Sequence, residues 1–186
     1  MYGYILAGIV ALLALLIIVA ATRPDEFTVT RSAKFAAPPE EVFPHVNDLH
    51  KWEAWSPWAK LDPNAKNSFA GPAAGVGAAM AWEGNCKVGV GRMTITESRP
   101  CELIRFRLEF IKPMQATNMA EFSFKPDNNQ TVITWTMSGK NNFVGKIFGL
   151  FMNCDKMIGG QFDKGLATLK SVAEAAPGVA AGAGRT

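Results

Sequence analysis

The sequence predicts an α+β protein: one apolar N-terminal helix, then a curved antiparallel sheet of six to seven strands around a long C-terminal helix. Three observations predict it. Residues Tyr4 to Ala21 (YILAGIVALLALLIIVAA) contain no charge and no proline. From Phe27 to Ser138, short runs alternate apolar and polar residues between turn signals, the period of half-buried strands. Asp155 to Ala175 instead places Ile158, Phe162, Leu166, Leu169 and Val172 at steps of four, four, three and three, the stripe of an amphipathic helix.

At 1.5 Å of rise per residue, a helix over 4–21 spans roughly 27 Å. That is close to the ~30 Å hydrocarbon thickness of a bilayer. The run is apolar on every face, which argues against the core helix of a soluble domain. A retained anchor and a cleaved secretory signal both fit it. Val19 and Ala21 could form a cleavage site before Thr22. However, Met1-Tyr2-Gly3 offers no basic residue, and the run exceeds the usual signal core of about 7 to 15 residues, which favours the anchor. The expected organisation is an anchor over 1–22, a spacer over 23–26 with Pro24, one domain over 27–175 and a disordered small-residue tail over 176–186. Arg23, Arg31 and Lys34 all follow the span. By the positive-inside tendency they favour a single-pass protein with its domain on the cytoplasmic side.

Phe27 to Ala36 (FTVTRSAKFA) alternates and is rich in β-branched and aromatic residues, so it reads as the first strand. Pro38-Pro39-Glu40-Glu41 then opens a helix, since proline is tolerated in a first turn and acids there complement the dipole. Val42, Phe43 and Val46 form its stripe, and it ends near Asn47-Asp48. Trp52, Trp55 and Trp58 follow at spacing three, close to one face of a helical turn that Pro57 limits. Gly71 to Gly77 (GPAAGVG) is a loop, because neither a Lys-Ser/Thr nor a helical pattern follows it.

Strands are predicted at Lys66–Ala70, Val76–Glu83, Lys87–Glu97, Glu102–Ile111, Ala116–Lys125 and Thr131–Ser138. The fourth puts Ile104, Phe106, Leu108 and Phe110 on one face and Arg105, Arg107 and Glu109 on the other, a sheet wet on one side. Short connections such as Asp127-Asn128-Asn129 indicate hairpins and a meander. Phe143 to Met152 (FVGKIFGLFM) reads as a short apolar helix, and Pro177-Gly178 stops the long one.

Charge and motifs exclude several classes. A net charge of +3 is too small and dispersed to argue for nucleic acid. Cys86, Cys101 and Cys154 are odd in number and lack paired spacing, which suits reduced thiols. His45 and His50 stand five apart with no acidic residue completing a ligand set, so no metal and no cofactor are expected. A solvated or capping role suits both histidines.

The order strand, PPEEVFPHVNDLHKWEAWSPW, strands, then FDKGLATLKSVAE resembles the START-like (SRPBCC) superfamily, in its polyketide cyclase/dehydrase-type bacterial members. VNDLHKWEAWSPW is the most telling stretch. WEGNCKVGVGRMTITESRP is similar to the two central strands around Gly89 and Gly91. The resemblance covers residues 27 to 175 and implies a helix-grip fold with a cavity between sheet and helix. It implies an apolar or amphipathic ligand, a small molecule or lipid, and carries over no catalytic set.

Candidate cavity-lining residues are Met80, Trp82, Met93, Phe106 and Leu108, then Phe122, Trp135 and Met137 from the later strands. Ile158, Gly159 and Phe162 from the long helix and Trp55 from the tryptophan trio complete them. For any one of them a place in the filled core is the commoner reading. Gly159 and Gly160 could leave room for a ligand or let helix and sheet pack closely. The trio could plug the sheet's open end, gate a pocket rim, or enter the membrane interface. Asn118 lies near the cavity by the resemblance, whereas Glu83 opposes Trp82 in parity and is expected to be exposed. Membrane-anchored binding of an apolar molecule is the leading function. A cyclase- or hydrolase-type enzyme in the same cavity and a scaffold with a filled core are the alternatives. The oligomeric state is left open.

Overall fold

A computed structural model describes residues 2–141, 143–151 and 154–175. Met152 of the expected short helix and the expected tail over 176–186 lie outside the described residues. Helix α1 spans Tyr2–Ala21 and is long and apolar enough to cross a membrane. The sheet follows as β1 (Glu26–Phe35), β2 (Lys66–Ala70), β3 (Ala79–Glu83), β4 (Val90–Arg99), β5 (Leu103–Lys112), β6 (Ala116–Asp127) and β7 (Gln130–Lys140). Between β1 and β2 stand α2 (Pro39–Asn47), a 3₁₀ turn (Leu49–Lys51) and α3 (Trp52–Trp55); α4 (Phe143–Phe151) and α5 (Cys154–Glu174) close the chain.

All seven strands form one antiparallel sheet in the order β1-β7-β6-β5-β4-β3-β2. Strands β2 to β7 are a meander, and β1 reaches past it to pair with β7 from Glu26↔Lys140 to Phe35↔Thr131. The fold is therefore the expected grip. Helix α5 lies across the inner face and contacts β1, α2 and α3. Strands β3 and β4 begin three residues later than alternation predicts. Gly77 and Gly89 hold φ of +88° and +73°, and such left-handed residues close turns rather than continue strands.

Helix α2 starts with Pro39 in its first turn beside Glu40 and Glu41, as the local chemistry dictates. It stops at Asp48, whose carboxylate accepts the His50 N–H at 3.0 Å and begins the 3₁₀ turn. That reversal turns α3 inward. The Trp52 indole donates to the Val46 carbonyl and the Trp55 indole to the His45 carbonyl, both at 2.9 Å. Both buried indole N–H groups are thus satisfied, which lets the rings enter the core without a desolvation penalty.

Candidate ligand-binding site at the open end of the sheet

Register sorts the inward-facing residues into rows across the sheet. Ile104, Phe122 and Trp135 form one row and are fully buried. The next, Ile95-Phe106-Ala120-Met137-Val29, is also buried throughout. In the third, Met80-Met93-Leu108-Asn118-Gly139-Phe27, Met93 and Asn118 are buried while Met80, Leu108 and Phe27 are half-buried. The last row holds Trp82, Gly91 and Phe110, with both aromatic residues half-buried and in edge contact at 5.9 Å. Exposure of the apolar interior therefore rises step by step toward the end where β1 leaves the spacer.

The closed half is filled with rings. Phe162 of α5 stacks on Trp135 at 4.0 Å and 7°, and Phe122 lies 4.6 Å away on Trp135 as well. Trp58 meets Trp135 edge-on at 5.7 Å, Trp52 meets Phe106 at 5.3 Å, and Trp55 meets Phe122 at 6.0 Å. Of the candidate lining residues, Trp55, Phe106, Phe122, Trp135 and Phe162 pack on one another here. Trp52 and Trp55 are buried, which corrects the membrane-interface reading for them. The Trp135 indole N–H is buried without a hydrogen-bond partner among the described residues.

In the less covered half Met80, Trp82, Leu108 and Phe110 are half-buried, as is Ile158 on α5, while Met93 and Met137 are buried. Two inward glycines shape it. The Trp82 ring crowds Gly91, and the Asn118 amide and Phe27 crowd Gly139. A Cβ at either position would collide with these groups. Asn118 is 8% exposed. It is the polar side chain of its row, and one amide supplies hydrogen bonds but neither a general acid nor a general base. Glu83 is exposed, as its parity predicts.

Gly159 requires a correction. The space over it is occupied by the guanidinium of Arg31, so the missing side chain admits an arginine and not a ligand. Arg31 donates to both Asp155 carboxylate oxygens at 3.1 and 2.9 Å and lies 3.4 Å from Asp163. The hydrogen bonds from Arg31 hold the Asp155 carboxyl below its ordinary range. Sequence reasoning missed this clamp, although the signal was present. In FTVTRSAKF, Phe27, Val29, Ala33 and Phe35 share the inward parity, and Arg31 is the charge among them.

A cleft of about 290 Å³ lies elsewhere, at the β2–β3 hairpin, against Leu49, His50, Phe69 and Ala79. There the His50 ring stacks on Phe69 at 4.0 Å and its Nδ1 sits 3.0 Å from an Asp48 carboxylate oxygen. Burial, with a smaller effect from Lys51, pushes the half-buried His45 imidazole below its ordinary range. Among the described residues no group of three or more His, Cys, Asp or Glu could hold a metal ion.

A seven-stranded sheet gripping a C-terminal helix, with an apolar interior graded from closed to open, defines the helix-grip class. Residues 26–174 match the family model for polyketide cyclase / dehydrase and lipid transport, and the chain belongs to that family. A comparison with curated protein sequences gives no match. Among solved structures, the chain is similar to protein CV1439 from Chromobacterium violaceum, at 16% identity and a TM-score of 0.57 over 82% of this chain and 99% of that one. It is also similar to DynU16 of the dynemicin biosynthetic locus, at 14% identity and 0.56, over 82% of this chain and 48% of that one. The Aha1 dimer from Colwellia psychrerythraea aligns at 18% identity and 0.55, over 81% and 98%. Identities this low establish the shared fold alone.

Proposed function

We propose that this protein is a membrane-tethered binder of an apolar small molecule or lipid, held at the open end of the sheet. One observation carries the reading. The inward apolar rows are sealed by rings at one end, yet Met80, Trp82, Leu108 and Phe110 stay half-buried at the other. Large apolar side chains on an inward face, left partly uncovered by the helix that covers their neighbours, suit an apolar occupant. Asn118 adds one polar contact, which suits an amphipathic ligand. The family's description as cyclase, dehydrase and lipid transport supports binding in this interior. Residues 4–21 are the tether, and the basic residues after them support a cytoplasmic domain.

The test uses the full chain in mild detergent. Native mass spectrometry is expected to show a co-purifying apolar mass, and a fluorescent apolar probe is expected to bind. Leu108→Glu places a charge among the mouth residues and is expected to abolish both signals, while Arg107→Ala on the wet face keeps them. Absence of a bound mass together with no probe uptake by the wild type would leave a filled scaffold as the better description.

A further inference from the structure

The end of the sheet that opens is also the end that α1 joins, and three observations fix this relation. First, the link from α1 to β1 is the four residues 22–25, which reach at most about 14 Å. Second, that link is stitched to the domain. The Asn141 backbone N–H donates to the Asp25 carbonyl at 2.8 Å, the Asn141 side chain donates to the Pro24 carbonyl at 3.3 Å, and Lys146 of α4 pairs with Asp25. Third, α1 packs on α4, and Ala20 is fully buried. The domain is thereby held by a short, pinned connection.

The same end carries exposed apolar side chains that the ligand site does not use. Ile111 is 50% exposed at the end of β5, Met114 is 45% exposed in the β5–β6 turn, and Met157 is 52% exposed in the first turn of α5. Exposed cations flank them: Arg23 beside α1, Lys112 on β5, and Lys87 in the β3–β4 turn, which Gly89 brings against the Lys112 backbone. The nearby acids are partly spent. Asp25 faces Lys146 and Glu109 lies 3.2 Å from Arg107, while Glu26 and Glu83 are exposed. Apolar tips flanked by cations match a bilayer surface, where the tips enter the interface and the cations meet anionic headgroups.

We propose that this end, with Ile111 and Met114 at its tip, docks on the surface of the bilayer that holds α1. The inference rests on the tether reading above. It means that a ligand passes between membrane and binding site without crossing bulk water.

The experiment is site-specific photocrosslinking. The full chain carries p-benzoylphenylalanine at position 114, at 111, or at Asn129 in the far β6–β7 turn, in phosphatidylcholine vesicles with and without phosphatidylglycerol. Lipid-mass adducts are expected at 114 and 111, stronger with phosphatidylglycerol, and none at 129. The pair Ile111→Asp and Met114→Asp is expected to lose adduct formation from a label at Lys112, while probe binding in detergent persists. Equal labelling at 114 and 129, or no lipid adduct at 114 and 111, overturns the docking even if probe binding stands. Docking that holds while the wild type binds no probe would separate the two readings in the other direction.

Discussion

Three glycines of α5 respond to the same substitution in three ways, because their surroundings differ. A Cβ at Gly160 meets nothing within 4 Å. Gly160→Ala should raise stability by up to about 1 kcal/mol through helix propensity and reduced chain entropy. At Gly165 a Cβ would lie 2.8 Å from the Trp135 ring and 3.1 Å from Pro57. Trp135 cannot retreat, with Phe162 stacked on it at 4.0 Å and Phe122 at 4.6 Å. Overpacking of about 1–3 kcal/mol should therefore outweigh the propensity gain at Gly165→Ala. At Gly159 the obstacle is the Arg31 side chain. Gly159→Ala should lower the melting temperature in the wild type but raise it in an Arg31→Ala background, where the obstacle is gone. Thermal melts of the double-mutant cycle check this inversion of sign. Equal effects in both backgrounds would mean that Arg31 does not occupy the space over Gly159.

The elements of the sheet and the stripe of α5 were legible because period and turn chemistry are local. Ile104, Phe106 and Leu108 alternate with Arg105 and Arg107 in sequence, and they do so in the structure. The join between α5 and β1 was less legible. Arg31 finds Asp155 across 124 residues of sequence, and only the fold reveals the partner. The filled half of the interior was hidden for the same reason. Whether Trp135 lines space or fills it depends on Trp58 and Phe162, each remote in sequence. The Arg31 clamp makes a prediction at this scale. Asp155 has its pKa lowered in the fold, first by its hydrogen bond from Arg31, so the unfolded chain binds the proton more readily. The clamp's contribution is complete above the unfolded value of about 3.9 and fades as pH falls through the lowered folded value. Arg31→Met should lower the melting temperature at neutral pH and flatten its decline below about pH 4. Parallel acid limbs for wild type and variant would assign that decline to other carboxylates.

At the scale of the whole molecule, α1 and the domain solve two different burial problems at one junction. Most of α1 is bare: Ile5, Leu12 and Ile18 are 55%, 59% and 62% exposed, while Leu16 and Val19 are half-buried and Ala20 is buried. Leu, Ile and Val each favour the bilayer centre by about 0.3 to 0.6 kcal/mol, which is what the proposed tether would draw on. The domain, in contrast, buries its own core of Phe35, Trp55, Phe106, Phe122, Phe162 and Leu169 without help from α1. Helix α1, the proposed tether, and the core are thus separate in what they bury, and Asp25, Asn141 and Lys146 form the junction between them. This separation predicts two outcomes for one substitution. Lys146→Glu places an acid against Asp25 in place of its cationic partner. Membrane retention through alkaline carbonate washing should not change, since α1 is untouched. Protease cleavage in the 22–25 spacer should become faster, because two like charges now open the link. Recovery of wild-type chains beginning at Thr22 in the soluble fraction would overturn the anchor. Unchanged spacer cleavage in the variant would show that Asn141 and the α1–α4 contact hold the link without the ion pair.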